Sequence, residues 1–152
     1  MTNDTRRRTS VRRIGDAVVA GFVRYGIGPH EVQLLTTRGR RTGFLRTTPV
    51  SLVDNLQGRF LVAAYGPVGW VHNIRADGFG TLRRGGWIEL ISVREVPAER
   101  AAPVLREYLS GPRAAVVGPY FEARADDPLT AFIAEADRHP VFEIVRSQTI
   151  RV

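Results

Sequence analysis

Apolar residues near the start of the chain recur at steps of three and four, which predicts an amphipathic helix over residues 11–25. Ser10 is a suitable N-cap for this helix, and a glycine-containing stretch with Pro29 ends it. The residues before it, 1–10, are polar and charged and have no periodicity, which predicts a disordered lead.

The middle of the chain alternates between short runs of β-branched and aromatic residues and turns that contain glycine, a pattern typical of β-hairpins. The predicted strands cover residues 31–37, 44–53, 59–65, 81–84, 87–96 and 141–145. Pro49 lies inside the second strand and predicts an edge position or a bulge, because proline has no backbone N–H for a sheet bond. The pair Gly85-Gly86 predicts a tight turn between the fourth and fifth strands.

Helices are predicted at residues 69–77, 97–110 and 126–138, where helical spacing and start signals return. The strands follow one another in hairpins and not in βαβ units. The pattern therefore favours an α+β fold, in which an antiparallel barrel or sheet of about six strands carries helices on its outside. A length of 152 residues with 43% hydrophobic residues suits one domain, which we place at residues 11–152.

Composition excludes several kinds of chemistry. The chain has no cysteine, which excludes disulfides, thiolate metal sites and cysteine nucleophiles. Its three histidines, His30, His72 and His139, are far apart, so no metal site is expected. No segment reaches the roughly 18 consecutive apolar residues that span a bilayer, and no apolar block of a secretory signal follows the N-terminal arginines. We therefore expect a cytoplasmic protein.

Positive charge is the strongest compositional signal, since the formal net charge is +7 and every basic side chain is arginine. Arginine presents a planar fork of donors that suits phosphate and carboxylate, so the charge favours an acidic ligand. Nucleic acid is the alternative partner. The arginines form separate clusters without interleaved aromatic platforms, however, which argues against nucleic acid.

The stretch LLTTRGRRTGFLRTTPV concentrates four arginines around a turn that Gly39 and Gly43 frame. Backbone N–H groups in such a turn can form an anion-binding nest. Arg40 and Arg41 would add charge-assisted hydrogen bonds, and Thr42 would add a hydroxyl. The alternative interpretation is an ordinary solvated turn.

The strand after this turn continues its polar character. Alternation places Arg46 and Thr48 on one face of the strand and Thr47 on the other. A charged residue near a strand centre needs a partner unless its face is exposed. This face therefore either lines a binding site or faces water.

The segment AAYG at residues 63–66, followed closely by WVHN, is a second candidate site. Small residues at the end of a strand let a flat ring approach the backbone, and Tyr65 and Trp70 would flank that ring. Trp70 equally suits a hydrophobic core, and His72 suits a helix surface better than a general base. The sequence shows no Ser-His-Asp, Cys-His or paired-carboxylate arrangement, so the chemistry of an enzyme would belong to a cofactor.

Three blocks, LLTTRGRRTGFLRTTPV, FLVAAYG and WVHNIRA, stand in an order and spacing that resemble the deazaflavin-dependent nitroreductase family. The resemblance covers residues 32–84 and, more loosely, the helix that follows them. It implies a split β-barrel of the FMN-binding type. It also implies an actinobacterial oxidoreductase that binds the reduced deazaflavin coenzyme F(420) and transfers hydride to a quinone, a nitroaromatic or another activated double bond.

The resemblance carries the site residues over by position. The turn residues 40–42 correspond to contacts with the phosphate and the polyglutamate tail of the coenzyme. The full set of implied coenzyme contacts is Arg40, Arg41, Thr42, Arg46, Thr47, Thr48, Pro49, Val50, Ser51, Ala63, Ala64, Tyr65, Gly66, Gly69, Trp70, Val71, His72 and Asn73. Ser51 and Tyr65 are candidates to hydrogen-bond the ring or the acceptor, and Tyr120 is the candidate on the acceptor side.

Other interpretations stay open at this point. An FMN-dependent oxidase of the same barrel class, or a non-catalytic deazaflavin-binding module, would fit the same motifs. The chain would act as a monomer or a homodimer. The helix over residues 11–25 would either pack on the barrel or make weak contact with an anionic membrane surface, which would place the protein at the inner face of the membrane.

Overall fold

A computed structural model describes residues 32–151 of the chain. The predicted disordered lead at residues 1–10 and the predicted helix over residues 11–25 lie outside the described residues. Within the described range the strands are β1 (Val32–Arg38), β2 (Leu45–Asn55), β3 (Gly58–Val62), β4 (Phe79–Arg84), β5 (Trp87–Glu95) and β6 (Val141–Arg151). All neighbouring strands are antiparallel, and the order β1-β2-β3-β6-β5-β4 closes on itself. The predicted antiparallel barrel is therefore confirmed.

The helices of the described residues are α1 (Gly69–Asp77), α2 (Ala98–Leu109), α3 (Ala114–Val117) and α4 (Leu129–Glu135), with a 3-10 turn at Gly118–Tyr120. Helices α1 and α2 match their predictions. Helix α3 was missed because one turn of helix is too short to show a hydrophobic period. Helix α4 is shorter than the predicted 126–138, since Asp127 accepts a bond from the Arg124 N–H in a preceding turn. None of these helices is long and apolar enough to cross a membrane.

Two strand boundaries differ from the prediction for identifiable reasons. Strand β6 was expected to end at residue 145, but it pairs with β5 as far as the Trp87–Arg151 pair. Its second half is exposed, so it lacks the apolar alternation that marks a half-buried strand. Strand β3 was expected to reach Tyr65 but ends at Val62, and Gly66 then turns the chain with a φ of 89°.

Pro49 occupies an edge position, as the sequence predicted. It pairs with Leu34 of β1, whereas the ladder between β2 and β3 begins only at Ser51. The first half of β2 therefore has a single neighbour, and the missing N–H of proline breaks no bond on the open side. This leaves one edge of β2 uncovered beside the basic turn.

Two buried clusters form the core. The first fills the barrel with residues such as Leu35, Leu61 and Phe142, and the α1 residues Val71 and Ile74 belong to it. The second lies between the outer face of the barrel and helices α2 and α4. Because α1 is anchored in the barrel cluster, its position relative to the turn between β1 and β2 is fixed by packing.

Candidate functional site

The basic turn between β1 and β2 has the geometry that its glycines suggested. The Gly39 N–H donates to the Phe44 carbonyl at 2.7 Å, and the Gly43 N–H donates to the Gly39 carbonyl at 2.8 Å. Gly43 has a φ of 75°, in the left-handed region that favours glycine. A Cβ at Gly39 would lie 2.9 Å from Thr42 Oγ1 and 3.1 Å from the Phe44 carbonyl oxygen, so a side chain would not fit there.

Helix α1 holds this turn through one buried amide. Asn73 Oδ1 accepts bonds from the backbone N of Arg40 at 3.2 Å and from Arg40 Nη1 at 3.0 Å. Asn73 Nδ2 donates to Thr37 Oγ1 at 3.4 Å. The amide positions Arg40 without neutralising its charge. It also occupies the Arg40 N–H, so this group is not among the backbone N–H groups of the turn that an anion could contact.

The four arginines of the turn region are not equivalent. Arg38 forms a two-bond ion pair with Asp77 at 3.1 and 3.3 Å, and these hydrogen bonds raise the pKa of Arg38. Arg40, Arg41 and Arg46 have no carboxylate partner among residues 32–151. Arg38 therefore serves the fold, whereas the other three leave positive charge available at the rim of the barrel.

These three arginines line a cavity of about 390 Å³ between the turn and the N-terminus of α1, which we call the basic cavity. Its walls are Gly39, Arg40, Arg41, Thr42, Arg46, Thr48, Val68, Gly69, Trp70 and Asn73. Arg46 and Thr48 face it together, as the strand alternation predicted. Two segments that are about thirty residues apart in the sequence thus line one cavity with guanidinium groups in its wall.

A smaller space of about 40 Å³, the narrow cavity, adjoins the basic cavity at Trp70. It is lined by Val32, Pro49, Val50, Ser51, Val62, Ala64, Tyr65, Trp70 and Arg113. Trp70 also packs against Phe142 of the barrel core, with ring centroids 5.8 Å apart. Trp70 is therefore both a core residue and part of the wall of two cavities, and its contact with a coenzyme stays a prediction.

Some of the remaining predicted site residues lie at the two cavities, and others make contacts within the fold. Tyr65 and Tyr120 meet edge to face, with ring centroids 4.8 Å apart, at the open side of the narrow cavity. Ser51 Oγ accepts a bond from Tyr108 Oη at 3.0 Å, so this hydroxyl is engaged with α2. The predicted contacts that line neither cavity are Thr47, Ala63, Gly66, Val71 and His72.

A polar cluster around His139 and Glu135 was not predicted. His139 contacts the Ala63 carbonyl through Nδ1 at 3.1 Å and the Tyr120 carbonyl through Nε2 at 2.9 Å. Beside it, the fully buried Glu135 accepts two backbone N–H bonds at 2.7 Å. Burial opposes the charge of Glu135, but these bonds and Arg138 outweigh it and lower the pKa. The cluster joins the end of β3 to the loop of Tyr120.

No group of three or more possible metal ligands lies together within residues 32–151. Arg113 and Tyr108 are the other residues of the region that sequence reasoning missed. Neither belongs to a recognisable motif, since they lie at the end of α2 and in the loop after it. Only the closure of the barrel and the packing of α2 bring them beside β2.

Comparison with solved structures supports the fold. A NimC/NimA family protein from Clostridium acetobutylicum is 11% identical, with a TM-score of 0.54 over 89% of this chain and 85% of that chain. An F(420)-H2 dependent reductase, FDR-A, is 19% identical, with a TM-score of 0.51 over 76% and 94%. A protein from Listeria innocua named as a candidate pyridoxamine 5'-phosphate oxidase is 12% identical, with a TM-score of 0.52 over 81% and 90%. The split-barrel fold expected from the sequence is confirmed.

Comparison with sequences supports the family. No curated protein matches the chain. The family model described as F(420)H(2)-dependent quinone reductase matches residues 6–135, which is most of the chain. This protein therefore belongs to the F(420)H(2)-dependent quinone reductase family and is a deazaflavin-dependent oxidoreductase.

Proposed function

We propose that the protein binds reduced coenzyme F(420) along the basic and narrow cavities and transfers hydride to a quinone. A nitroaromatic, or a compound with another activated double bond, would also be able to accept hydride. The observation that carries this proposal is that Trp70 lines both cavities. One of them contains three arginines that have no carboxylate partner within residues 32–151, and the other is lined mostly by apolar residues.

The donor set of the basic cavity suits the negatively charged part of the coenzyme. A phosphodiester and a chain of carboxylates are anionic oxygen acceptors, and Arg40, Arg41 and Arg46 present guanidinium donors to them. Such charge-assisted bonds are roughly twice as strong as neutral ones. The hydroxyls of Thr42 and Thr48 lie in the same wall and add neutral donors.

The ring of the coenzyme would lie at the narrow cavity, where Pro49, Ala64 and Trp70 offer apolar contact. At about 40 Å³ this cavity is smaller than a three-ring system, so binding requires a side chain to move. Tyr65 is the half-buried residue at the open side and the natural one to swing outward.

When bound, the reduced coenzyme supplies the hydride. The protein then has to orient the ring and the acceptor and to exclude water, and this requires no side-chain base. Ser51 and Tyr65, the candidate hydrogen-bonding residues, differ here, because Ser51 Oγ already accepts the bond from Tyr108. The contact of Tyr65 with Tyr120 would close the site on the acceptor side.

Binding of the coenzyme to the full-length protein, measured by fluorescence anisotropy, tests this proposal. The double variant Arg40→Met, Arg41→Met should weaken binding by at least roughly tenfold, because each bond to a charged group contributes substantially. Arg124→Met removes an exposed arginine that lines neither cavity, and it should bind like the wild type. Equal affinity for all three proteins would remove the turn arginines from the site.

FMN and turnover separate the remaining interpretations. If FMN displaced the deazaflavin at equal concentration, the FMN-dependent oxidase would replace our proposal. Tight coenzyme binding without oxidation by any quinone or nitro compound would instead favour a binding module. The polyglutamate contacts, the single domain at residues 11–152, the monomeric or homodimeric state and the weak membrane-surface contact stay predictions.

A further inference from the structure

A third cavity, of about 420 Å³, shares Arg113 with the lining of the narrow cavity. The walls of this third cavity include the apolar side chains of Leu52, Val53, Tyr108 and Pro112. The Tyr108 ring is held in place, since its hydroxyl donates to Ser51. The third cavity is therefore a preformed space with apolar walls, ten times larger than the narrow cavity beside it.

The charged groups in its wall are paired, with one exception among the described residues. Arg59 binds Glu89 at 2.6 Å and lies 3.7 Å from Asp54. Glu107 accepts a bond from Asn55 Nδ2 at 2.6 Å. In Arg113, by contrast, Nε is buried and has no hydrogen-bond partner.

A buried guanidinium nitrogen without a partner destabilises the unliganded protein, and a ligand that accepts its hydrogen bond would remove this cost. Leaving a charged donor without an acceptor costs more than a neutral hydrogen bond contributes. The two carboxylates in the same cavity wall are engaged with other groups, because Asp54 lies beside Arg59 and Glu107 accepts the bond from Asn55. The position of Arg113 at the wall between two cavities is what a ligand oxygen would need.

We propose that the third cavity is the acceptor pocket and that Arg113 binds an oxygen of the acceptor, with preference for an acceptor that carries an ionised oxygen. This inference rests on the proposed function, because it places the acceptor next to the ring at the narrow cavity. Quinones with an acidic hydroxyl group are the substrate class that fits best. Their flat rings suit the apolar part of the walls, and their anionic oxygen suits the buried Nε of Arg113, which has no partner.

The same contact would assist the reaction. When bound, the reduced coenzyme would supply a hydride, and the quinone that accepts it would become a quinolate anion. The oxidation of the coenzyme would also release one proton to solvent, and one proton from solvent would complete the quinol, so that the step balances. Arg113 would stabilise the negative oxygen that forms, as a positioned donor.

The test uses 2-hydroxy-1,4-naphthoquinone, which is ionised at neutral pH, and 2-methyl-1,4-naphthoquinone, which is not. Their affinities for full-length wild type, Arg113→Met, Arg113→Gln and the control Arg124→Met are measured by calorimetry, with and without oxidised coenzyme F(420). Arg113→Met should weaken the hydroxyquinone by at least roughly tenfold and the methylquinone by less. Arg113→Gln, which keeps a donor, should fall between wild type and Arg113→Met.

Two further measurements separate this role from others. Arg113 also lines the narrow cavity, so Arg113→Met should lower affinity for the coenzyme, but by less than affinity for the hydroxyquinone. The thermal midpoint of the variant should not fall, because no hydrogen-bond partner of Nε is lost. A drop in coenzyme affinity equal to that for the quinone, or equal quinone binding by all four proteins, would overturn the inference. If no protein bound the coenzyme, the proposed function would fail, while quinone binding without coenzyme would still decide the role of Arg113.

Discussion

Side chains of one type have different roles at this site, and their neighbours determine which. Arg38 is bound to Asp77, Arg40 is positioned by a neutral amide, and Arg113 has an unpartnered Nε. A guanidinium next to a carboxylate contributes to the fold, whereas one held by an amide keeps its charge for a ligand. Neighbours also determine the role of the hydroxyl groups. Ser51 Oγ accepts a hydrogen bond from Tyr108, and the hydroxyls of Thr36 and Thr47 bond to each other at 2.7 Å.

The bond between Tyr108 and Ser51 should be measurable as a coupling. Ser51→Ala should lower the free energy of unfolding by about 1–3 kcal/mol, because the buried Tyr108 hydroxyl loses its partner. Tyr108→Phe removes the other half, and the double variant should cost less than the sum of the single ones. Urea unfolding of the four proteins tests this, and strictly additive effects would show that the hydroxyls do not interact.

At the scale of the elements, strand β1 pairs with β4, and this pairing closes the barrel. Thr36 pairs with Thr81, next to Gly80 on the same strand. A Cβ at Gly80 would lie 2.9 Å from the Thr36 carbonyl oxygen and 3.3 Å from Leu35 Cδ1. The pairing of β1 with β4 therefore requires glycine at position 80, and β1 leads directly into the basic turn.

Gly80→Ala should lower the free energy of unfolding by about 1–3 kcal/mol or more, because the backbone oxygen in its way cannot rotate aside. Gly69→Ala is the control, since a Cβ there meets nothing within 4 Å and Gly69 is the first residue of α1, where the helical φ suits alanine. That variant should stay within about 0.5 kcal/mol of the wild type. Urea unfolding measures both, and equal stability of the two variants would contradict the close packing of β1 on β4.

The attachment of α4 depends on pH through Glu135. Hydrogen bonds from the Ala123 and Glu122 N–H groups and from Arg138 outweigh the effect of burial and lower its pKa in the folded state. A lowered pKa in the folded state contributes stability above the unfolded value of about 4.3, and this contribution disappears as the pH falls below that value.

Glu135→Gln keeps an oxygen acceptor but loses the charge. Its difference in unfolding free energy from the wild type should therefore be largest near neutral pH and shrink between about pH 5 and about pH 2. Glu99→Gln, on the exposed side of α2, is the control for the loss of one surface carboxylate. Chemical unfolding across this pH range provides the measurement. A gap that widened on acidification would have the wrong sign for a lowered pKa.

Across the whole molecule the formal net charge is +7. Within residues 32–151, Arg59 forms an ion pair with Glu89 and Arg75 forms one with Glu95. The arginines that line the basic cavity have no carboxylate partner among these residues, and they give the rim of the barrel a local positive field. Such a field attracts anionic ligands and is screened by salt.

Coenzyme affinity should therefore fall as salt is raised from about 0.01 M to about 1 M, where the screening length drops from about 30 to about 3 Å. The double variant Arg40→Met, Arg41→Met should show a shallower dependence, since fewer charges take part. Anisotropy titrations at several salt concentrations test both statements. An affinity that did not change with salt would mean that the tail of the coenzyme lies away from the arginines.

Local sequence was enough to predict much of the architecture. Glycines placed the turns, helical spacing placed α1 at residues 69–77, and hairpin order indicated an antiparallel barrel. These features depend on neighbours within a few residues, so the chain itself displays them. The basic turn was visible for the same reason, because Gly39, Gly43 and the arginines between them are contiguous.

What sequence order leaves undetermined is which distant groups meet. Asn73 holds Arg40 across 33 residues, and Tyr108 reaches Ser51 across 57. An arginine forms an ion pair only where a carboxylate lies beside it. Arg38 has such a partner in Asp77, which barrel closure and the packing of α1 bring near. The sequence therefore determined the elements and the positive turn, because both arise from local backbone preference and charge. Tertiary structure alone decided which cations are free and which cavities adjoin, because pairing and enclosure require groups that are remote along the chain to share one space.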